Sequence, residues 1–573
     1  MSHCVSAFEA EHPADRTSAI GISTFGDKPN EVGPDHLQSL FEHALEIIPA
    51  DEVPNTPFFL FATAGMRMLP PLKQKAILKN VCDYAKKNTR FQLPDCDLHI
   101  QVIPGETEGL YGWIAANYLL GGFDDPKDHD HGKGHHTYGF LDMGGASAQI
   151  AFAPNATEAE KHANDLTLLR LRTVDGQSTE YKVFVTTWLG FGVNQARQRF
   201  VKALLEASPG ATELPDPCLP AGLKLTTDGK AITSGSDEDK GETPHLIGTG
   251  RFPECMSKAY PLLEKDKPCP DTPCLINGQH SPAIDFDVNH FVGVSEYWHT
   301  THEIFEVSDK HKAYDFKTYQ LRVNVFCSQS WEEIQRGVEM KKWGKKVDET
   351  AALEVCFKAS WLINVLHDGI GVPRVGLERM NGTYNGTKSV FEAAKSKGFA
   401  DPFKAYNKID DVEVSWTLGK MVLYASSEVP SSSSSSSTNA LAIGFGSNVP
   451  GGLHKDFQYA GGTYQPYEES GEIDDFLSGN QFAETPRRIP GYFMLSLVFA
   501  AFLIGYLLWS KDRRTIWLRR TFLSYFFRKD GSPSSSRRKH RFPVNSLVSV
   551  QAHLPTNAFS KTDLLGTGSN WGL

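Results

Sequence analysis

The sequence predicts an α/β fold with mixed sheets, and three observations carry that prediction. Short apolar runs that read as strands alternate with amphipathic runs that read as helices. Gly turns follow two of the strands, at 63–65 and 144–145. The composition is globular, 40% hydrophobic and 22% charged, which excludes collagen-like and wholly disordered chains. Taken in order, 57–65 (PFFLFATAG) predicts a buried strand ending at a Gly turn. Residues 71–88 predict a helix, with Leu72, Ala76, Leu78, Val81 and Ala85 on a helical period. A short strand at 99–103 precedes a second helix at 106–120. Strands at 140–143 and 150–152 are joined through GGASAQ. Helices follow at 192–206, near 351–367 and at 415–425.

The net charge of −10 and pI of about 6.1 argue against nucleic acid as a partner. That charge is unevenly spread. From Lys511 onward there are 12 Lys/Arg and 3 Asp/Glu, a tail of +9, which leaves −19 for the first 510 residues. Between the two lies 489–509, IPGYFMLSLVFAAFLIGYLLW, a run of 21 residues without a charge. Roughly 20 apolar residues cross a bilayer core, so this run predicts a transmembrane helix. Tyr492, Tyr506 and Trp509 sit near its ends, where amphipathic rings favour the interface. Lys511, Arg513, Arg514, Arg519 and Arg520 follow it, and only Arg487 and Arg488 closely precede it. The positive-inside bias therefore expects a cytosolic C-terminus and a lumenal or external residues 1–488. The basic tail, 510–573, is expected to be disordered, touching anionic lipid and open to regulatory partners.

Cysteine usage agrees with that topology. Of nine, Cys4 stands alone and eight lie between Cys82 and Cys356, all before the anchor. No spacing suits a zinc site, so disulfides in an oxidising lumen are expected. Connectivity stays open from sequence. Pairing neighbours would give Cys82–Cys96, Cys218–Cys255, Cys269–Cys274 and Cys327–Cys356. Sequons at Asn155, Asn381 and Asn385 also precede the anchor. The N-terminus has no apolar core and reads as no signal peptide, so either the anchor targets the chain or this is not the natural start. Seven serines, 431–437, open a Ser/Gly-rich and acidic stretch, and 429–488 is expected to be a flexible stalk.

Three stretches can carry chemistry. FATAGMRML, 61–69, delivers Thr63, Ala64 and Gly65 into a turn where backbone N–H groups and the Thr63 hydroxyl can meet an oxyanion, with Arg67 nearby. FLDMGGASAQIAF, 140–152, suits a phosphate clamp. Amides across Gly144, Gly145, Ala146 and Ser147 would hold a terminal phosphate, Asp142 a divalent cation directly or through water, and Ser147 and Gln149 an attacking water. PGETEGLYGWIAANYLLGG, 104–122, opens a helix with Glu106 and Glu108, either helix-capping carboxylates or a base for water. The His-rich run at 129–136, HDHGKGHH, reads as a solvated loop, with transition-metal binding as the alternative.

ATAGMRML, GETEGLYGWIAANYLLG, LDMGGASAQIAF and SWTLGKMVLY, in that order, resemble successive motifs of the nucleoside triphosphate diphosphohydrolase (apyrase, nucleoside phosphatase) family. The likeness spans roughly 20–428, and the C-terminal anchor is similar to that of fungal Golgi members. It implies the two-lobed actin/hexokinase/Hsp70 (ribonuclease H-like) fold, with 1–105 as first lobe, 106–401 as second lobe and 402–428 returning to the first. It implies Glu108 as catalytic base, Ser147 and Gln149 positioning water, and Asp142 organising Ca²⁺ or Mg²⁺ through water. Thr63, Ala64 and Gly65, with Gly144, Gly145 and Ala146, would bind phosphate. Tyr297 and Trp298 would stack on the base, or equally serve as core aromatics. The implied activity is hydrolysis of nucleoside di- and triphosphates at a Golgi membrane, in support of glycosylation. The family's first phosphate loop, an Asp-Ala-Gly-Ser-Ser hairpin, is not found; the likeness begins near AIGISTFGDKPNEVGPDHL, so the first lobe is expected to lack its opening hairpin because the gene model starts late. The alternatives are a catalytically dead nucleotide-binding or regulatory membrane protein and, less favoured, a sugar-kinase-like enzyme of the same fold.

Overall fold

A computed structural model describes residues 21–124, 136–232, 243–305, 314–374, 402–432, 442–448 and 457–460, and the fold is that of these residues. The predicted transmembrane helix (489–509), the basic tail, Cys4, Asn381, Asn385 and all but the last residue of the His-rich run lie outside them. Among the described residues no helix is long and apolar enough to cross a membrane.

The chain opens with short helical turns and helix α1 (Gln38–Ile47), then β1 (Leu60–Ala62), α2 (Ala64–Arg67), α3 (Pro71–Asn88), α4 (Cys96–His99) and β2 (Ile100–Val102). Helix α3 starts on Pro71, whose fixed φ and missing N–H suit a first helical position. Its Ile77, Val81 and Ala85, at successive four-residue steps, are buried. They pack with Phe25, Val32, Leu37, Phe41, Ala62, Met66 and Ile100 into one apolar cluster beside the two-stranded parallel sheet β1–β2.

The rest is organised on one large mixed sheet. Helix α5 (Gly105–Leu119) leads to β3 (Gly139–Met143) and β4 (Ser147–Phe152). Then come α6 (Ala156–Lys161), β5 (Thr167–Arg172), β6 (Ser178–Leu189) and α7 (Val193–Ala207). A small sheet of β7 (Glu213–Asp216), β8 (Lys224–Thr226) and β9 (His245–Gly248) is followed by α8 (Phe252–Ala259) and β10 (Phe291–Ser295). Helices α9 (Glu296–His302), α10 (Phe316–Cys327), α11 (Trp331–Glu339) and α12 (Glu349–Ile363) precede β11 (Phe403–Ala405). The hairpin β12 (Lys408–Ile409) and β13 (Val412–Glu413) leads to α13 (Trp416–Glu428), β14 (Gly444–Ser447) and β15 (Gln458–Tyr459). The large sheet runs β11-β10-β3-β4-β6-β5-β14-β15. Strands β11, β10 and β3 are parallel neighbours, whereas β3, β4, β6, β5, β14 and β15 pair antiparallel in that sequence. Every residue of β3 and β4 is buried, as expected of central strands covered on both faces.

The expectation for the stalk needs correction here. The predicted stalk, 429–488, contains β14 and β15: Ile443 and Phe445 are buried, and β14 extends the sheet along β5. A serine tract and glycines dominate the local composition, but the backbone groups of a distant edge strand supply the partner. Segment 402–428 begins with β11, which pairs with β10 on the large sheet, and its helix α13 packs against α5.

Four disulfides, Cys82–Cys96, Cys218–Cys255, Cys269–Cys274 and Cys327–Cys356, pair neighbours in sequence. They enclose very different chain lengths, so their removal should rank by loop size. The chain-entropy relation puts Cys218–Cys255, with a separation of 37, at about 4 kcal/mol and Cys269–Cys274, with a separation of 5, at about 2 kcal/mol. Thermal melts of Cys218→Ala/Cys255→Ala against Cys269→Ala/Cys274→Ala should show the larger loss in the first pair, which is also buried in the core. The reverse order would contradict it.

Candidate functional site

The site forms where three turns converge on the sheet. Strand β1 ends at Thr63, whose carbonyl accepts the amides of Met66 (3.0 Å) and Arg67 (3.1 Å) and so starts α2. The Thr63 hydroxyl does not cap that helix, and Thr63 is half-buried. Helix α2 aims Arg67 across the gap. Its Nη1 donates to the Ile103 carbonyl (3.1 Å), and its Nη2 to Glu108 Oε2 (2.8 Å) and Ser147 Oγ (3.2 Å). One guanidinium thus ties the ATAG turn, the start of α5 and the start of β4 together.

Glu106 and Glu108 are two positions apart on α5, so they point to different helix faces. Glu106 is exposed and Glu108 buried against the sheet, which separates two carboxylates the sequence left equivalent. Glu108 Oε2 also accepts from Gln149 Nε2 (3.1 Å), and that same nitrogen donates to Ser147 Oγ (2.7 Å). Gln149 and Ser147 are i, i+2 on β4 and therefore share a sheet face. Ser147 Oγ accepts from both Arg67 and Gln149, so its own O–H can donate onward. Burial pushes Glu108 up to about 7; the Arg67 charge opposes this and Asp142 adds to it.

Asp142 lies in β3 between Gln149 of β4 and Val294 of β10. Burial pushes its carboxyl up to about 6, partly offset by a hydrogen bond from Ser295. Its Oδ1 is buried with no hydrogen-bond partner. A buried hard oxygen left unsatisfied is costly unless something else binds it, and Ca²⁺ or Mg²⁺ takes such oxygens. The donor set therefore fits a divalent cation.

The turn between β3 and β4 has its carbonyls pinned from one side. Gly144 O accepts from Val193 N (3.0 Å), Gly145 O from Asn194 N (2.9 Å) and Gln195 N (3.2 Å), and Ala146 O from Gly190 N (2.8 Å). Each peptide unit is planar and trans, so the N–H following each carbonyl points the opposite way. The amides of Gly145, Ala146 and Ser147 therefore face away from the α7 terminus as a row of donors. The Gly144 amide does not join them, because it closes the turn onto Ser147 O (3.0 Å). Of the four amides expected in the clamp, that of Gly144 is thus engaged within the turn. Close approach by Gly192 makes the pinning possible: a Cβ there would sit 2.4 Å from Ala146 N and 2.5 Å from Gly144 O.

Residues 6–437, about three quarters of the chain, match the GDA1/CD39 (nucleoside phosphatase) family. The chain belongs to that family. It is 38% identical over 423 residues to the Golgi apyrase of Saccharomyces cerevisiae and 39% identical over 410 residues to that of Schizosaccharomyces pombe, each alignment covering 71% of this chain. It spans 62% and 66% of those proteins, a little under two thirds of their lengths. It is 32% identical over 426 residues to the nucleoside-diphosphatase mig-23 of Caenorhabditis elegans, covering 72% of this chain and 70% of that one. A nucleoside triphosphate hydrolase structure from Neospora caninum aligns with a TM-score of 0.39 at 14% identity, over 70% of this chain and 76% of that one.

As a nucleoside phosphatase family member, the chain brings Glu108, Gln149 and Ser147 into mutual hydrogen-bond contact, with Asp142 the cross-strand neighbour of Gln149. Ala64 and Gly65 lie in the first turn of α2, Ala64 buried and Gly65 half-buried. Tyr297 does not join them as an open stacking platform: its ring is buried in the core, edge-on to Phe403. Trp298 is half-buried and already stacks on His302, with centroids 3.7 Å apart. Helix periodicity explains the outcome, since α9 turns Tyr297 inward onto the sheet. Sequence reasoning noted Arg67 only as nearby and missed Ser295 and the 190–195 segment. Ser295 ends β10 with φ 58°, an uncommon conformation for a residue with a Cβ, which holds its hydroxyl toward Asp142. A signal existed in GFGVN, 190–194, whose glycines precede a helix start.

Arg67 favours the ionised form of Glu108, so Arg67→Gln should raise that carboxyl further above its ordinary range. A base must be ionised to accept a proton. The acidic limb of kcat/KM should therefore move to higher pH, with a larger loss at pH 6 than at pH 8. A limb that stays put or moves down would refute the pairing.

Proposed function

We propose that this chain hydrolyses the terminal phosphates of nucleoside tri- and diphosphates by direct attack of water. The observation that carries the reading is the buried Glu108–Gln149–Ser147 cluster beside a row of outward amides. Glu108 Oε2 holds both Arg67 and Gln149, which leaves Oε1 to accept a proton from water. Gln149 and the donating Ser147 hydroxyl orient that water. The amides of Gly145, Ala146 and Ser147, with Thr63 from the facing turn, hold the phosphoryl oxygens as charge shifts onto the leaving group. A divalent cation, Ca²⁺ or Mg²⁺ near Asp142, supplies further neutralisation of phosphoryl charge when bound. No side chain is asked to form a phosphoenzyme. The Golgi apyrase relatives and the uncharged apolar run at 489–509 support a single-pass Golgi protein with a lumenal catalytic region and a cytosolic C-terminus. There it would clear nucleoside diphosphates released by glycosyl transfer.

Phosphate release from UDP, GDP, ADP and ATP by the purified full chain tests this reading. Cation-dependent release, abolished by chelator and restored by excess Ca²⁺ or Mg²⁺, is expected. No release from any of the four above the buffer rate would sink it.

A further inference from the structure

We propose a second metal site in this chain, a Zn²⁺ site built by His162, Asp165 and His280 and separate from the nucleotide site. Among the described residues these three form the one group of metal-ligating side chains close enough to share an ion. The same three atoms face one another throughout. His162 Nδ1 lies 3.1 Å from His280 Nε2 and 3.5 Å from Asp165 Oδ2, and His280 Nε2 lies 3.6 Å from Asp165 Oδ2. A tetrahedral ion with ligands at roughly 2.0–2.1 Å has ligand–ligand edges of roughly 3.3–3.4 Å. The observed triangle is one face of such a tetrahedron. Two imidazoles and a carboxylate are a donor set that suits zinc rather than Ca²⁺ or Mg²⁺, which take oxygen ligands. The fourth position opens toward solvent on the side of the exposed Asp165.

Proton accounting points the same way. His280 Nδ1 is 2.6 Å from the Asp271 carbonyl, which can only accept, so Nδ1 carries the hydrogen. A neutral His280 then presents the lone pair of Nε2 to His162. The other nitrogen of His162, Nε2, is buried without a hydrogen bond and faces Glu158 Oε2 at 3.4 Å. In a neutral His162 with the hydrogen on Nε2, the two lone pairs of the histidines meet. If Nδ1 carries it, a bare Nε2 faces a carboxylate. A cation at the centre of the triangle removes the conflict: both lone pairs meet the ion, and both remaining N–H groups point at an oxygen. Outer partners of this kind are what fixes the tautomer of a zinc-bound histidine.

The surrounding structure holds the ligands in place. Asn155 caps α6 through the Glu158 amide (3.0 Å), and the turn after α6 places His162 and Asp165 three residues apart. Glu158 Oε2 also accepts the Ala283 amide (2.8 Å), joining α6 to the segment that bears His280. His280 is set by its antiparallel bridge to Cys274, which is itself tied to Cys269 by a disulfide. The site lies beyond Phe152, the end of β4 opposite Ser147, so six residues or roughly 17–20 Å of strand separate it from the catalytic face. The sequence concealed it because its ligands are 115 residues or more apart across two segments, not grouped at a motif spacing.

The test uses the full chain, stripped with chelator and titrated with Zn²⁺, reading bound metal per chain and, with Co²⁺ in place of zinc, the visible d–d absorption of a tetrahedral site. One zinc is expected to survive in Asp142→Asn, which marks it as separate from the nucleotide site. His280→Gln should weaken binding by at least roughly a hundredfold and Asp165→Asn, a substitution at an exposed position, by at least roughly tenfold. Zinc should also raise the melting temperature of the parent but not of His280→Gln. No zinc bound at micromolar concentration, or zinc binding unchanged in both His280→Gln and Asp165→Asn, would overturn the proposal, whatever the nucleotidase activity.

Discussion

Glu108→Gln is expected to lower kcat for phosphate release by about a thousandfold while nucleotide affinity stays within threefold. Glutamine keeps the shape and an oxygen acceptor for Arg67, but it cannot take a proton from water. General-base catalysis contributes roughly 10²–10⁴ in rate, and a thousandfold corresponds to about 4 kcal/mol of barrier. The position is prepared for the role. Burial lifts the carboxyl to about 7, so near neutral pH about half of it is ionised and that form is basic enough to take a proton, and its two donors hold it in one orientation. Glu106→Gln, on the exposed face of the same helix, should leave kcat within twofold. Single-turnover phosphate release together with binding of a non-hydrolysable nucleotide separates chemistry from binding. A Glu108→Gln turnover within threefold of the parent would sink the base assignment.

Gly419→Ala should cost on the order of 3 kcal/mol of stability and lower the melting temperature by roughly 4 °C. Gly419 sits in α13, within the SWTLGKMVLY stretch that matches the family but holds no group of the site. Its purpose is visible in the packing. A Cβ on Gly419 would fall 1.7 Å from the Tyr111 carbonyl oxygen and 3.1 Å from Ala115 N, both backbone atoms of α5. Nothing flexible can give way, so the two helices must separate. Helix α5 carries Glu108 one turn before Tyr111, so kcat/KM should fall along with stability. A variant that melts within 1 °C of the parent would show that the helices part freely.

Local pattern made much of the architecture legible. Helix α3 was readable because a proline start and apolar residues on a helical period are properties of adjacent residues. Strand β3 and its Gly turn were readable for the same reason, as were Asp142 and Gln149 as candidates. Strand β14 was not, since four residues with a Gly-rich neighbourhood pair only because the β5 edge, some 270 residues earlier, lies beside them. Arg67 was underrated because its three partners come from separate turns of the chain.

By itself the sequence determined the family, the α/β character and the residue types at the site, because motif spacing and hydrophobic period are local and survive in a string of letters. The tertiary structure decided the rest. It chose Glu108 over Glu106 by burying one face of α5, removed the Gly144 amide from the clamp by closing a turn, and took Tyr297 into the core. It also gathered His162, Asp165 and His280 from two distant segments. Each of these depends on which side of an element faces its neighbour, and that is set by packing between residues far apart in the chain.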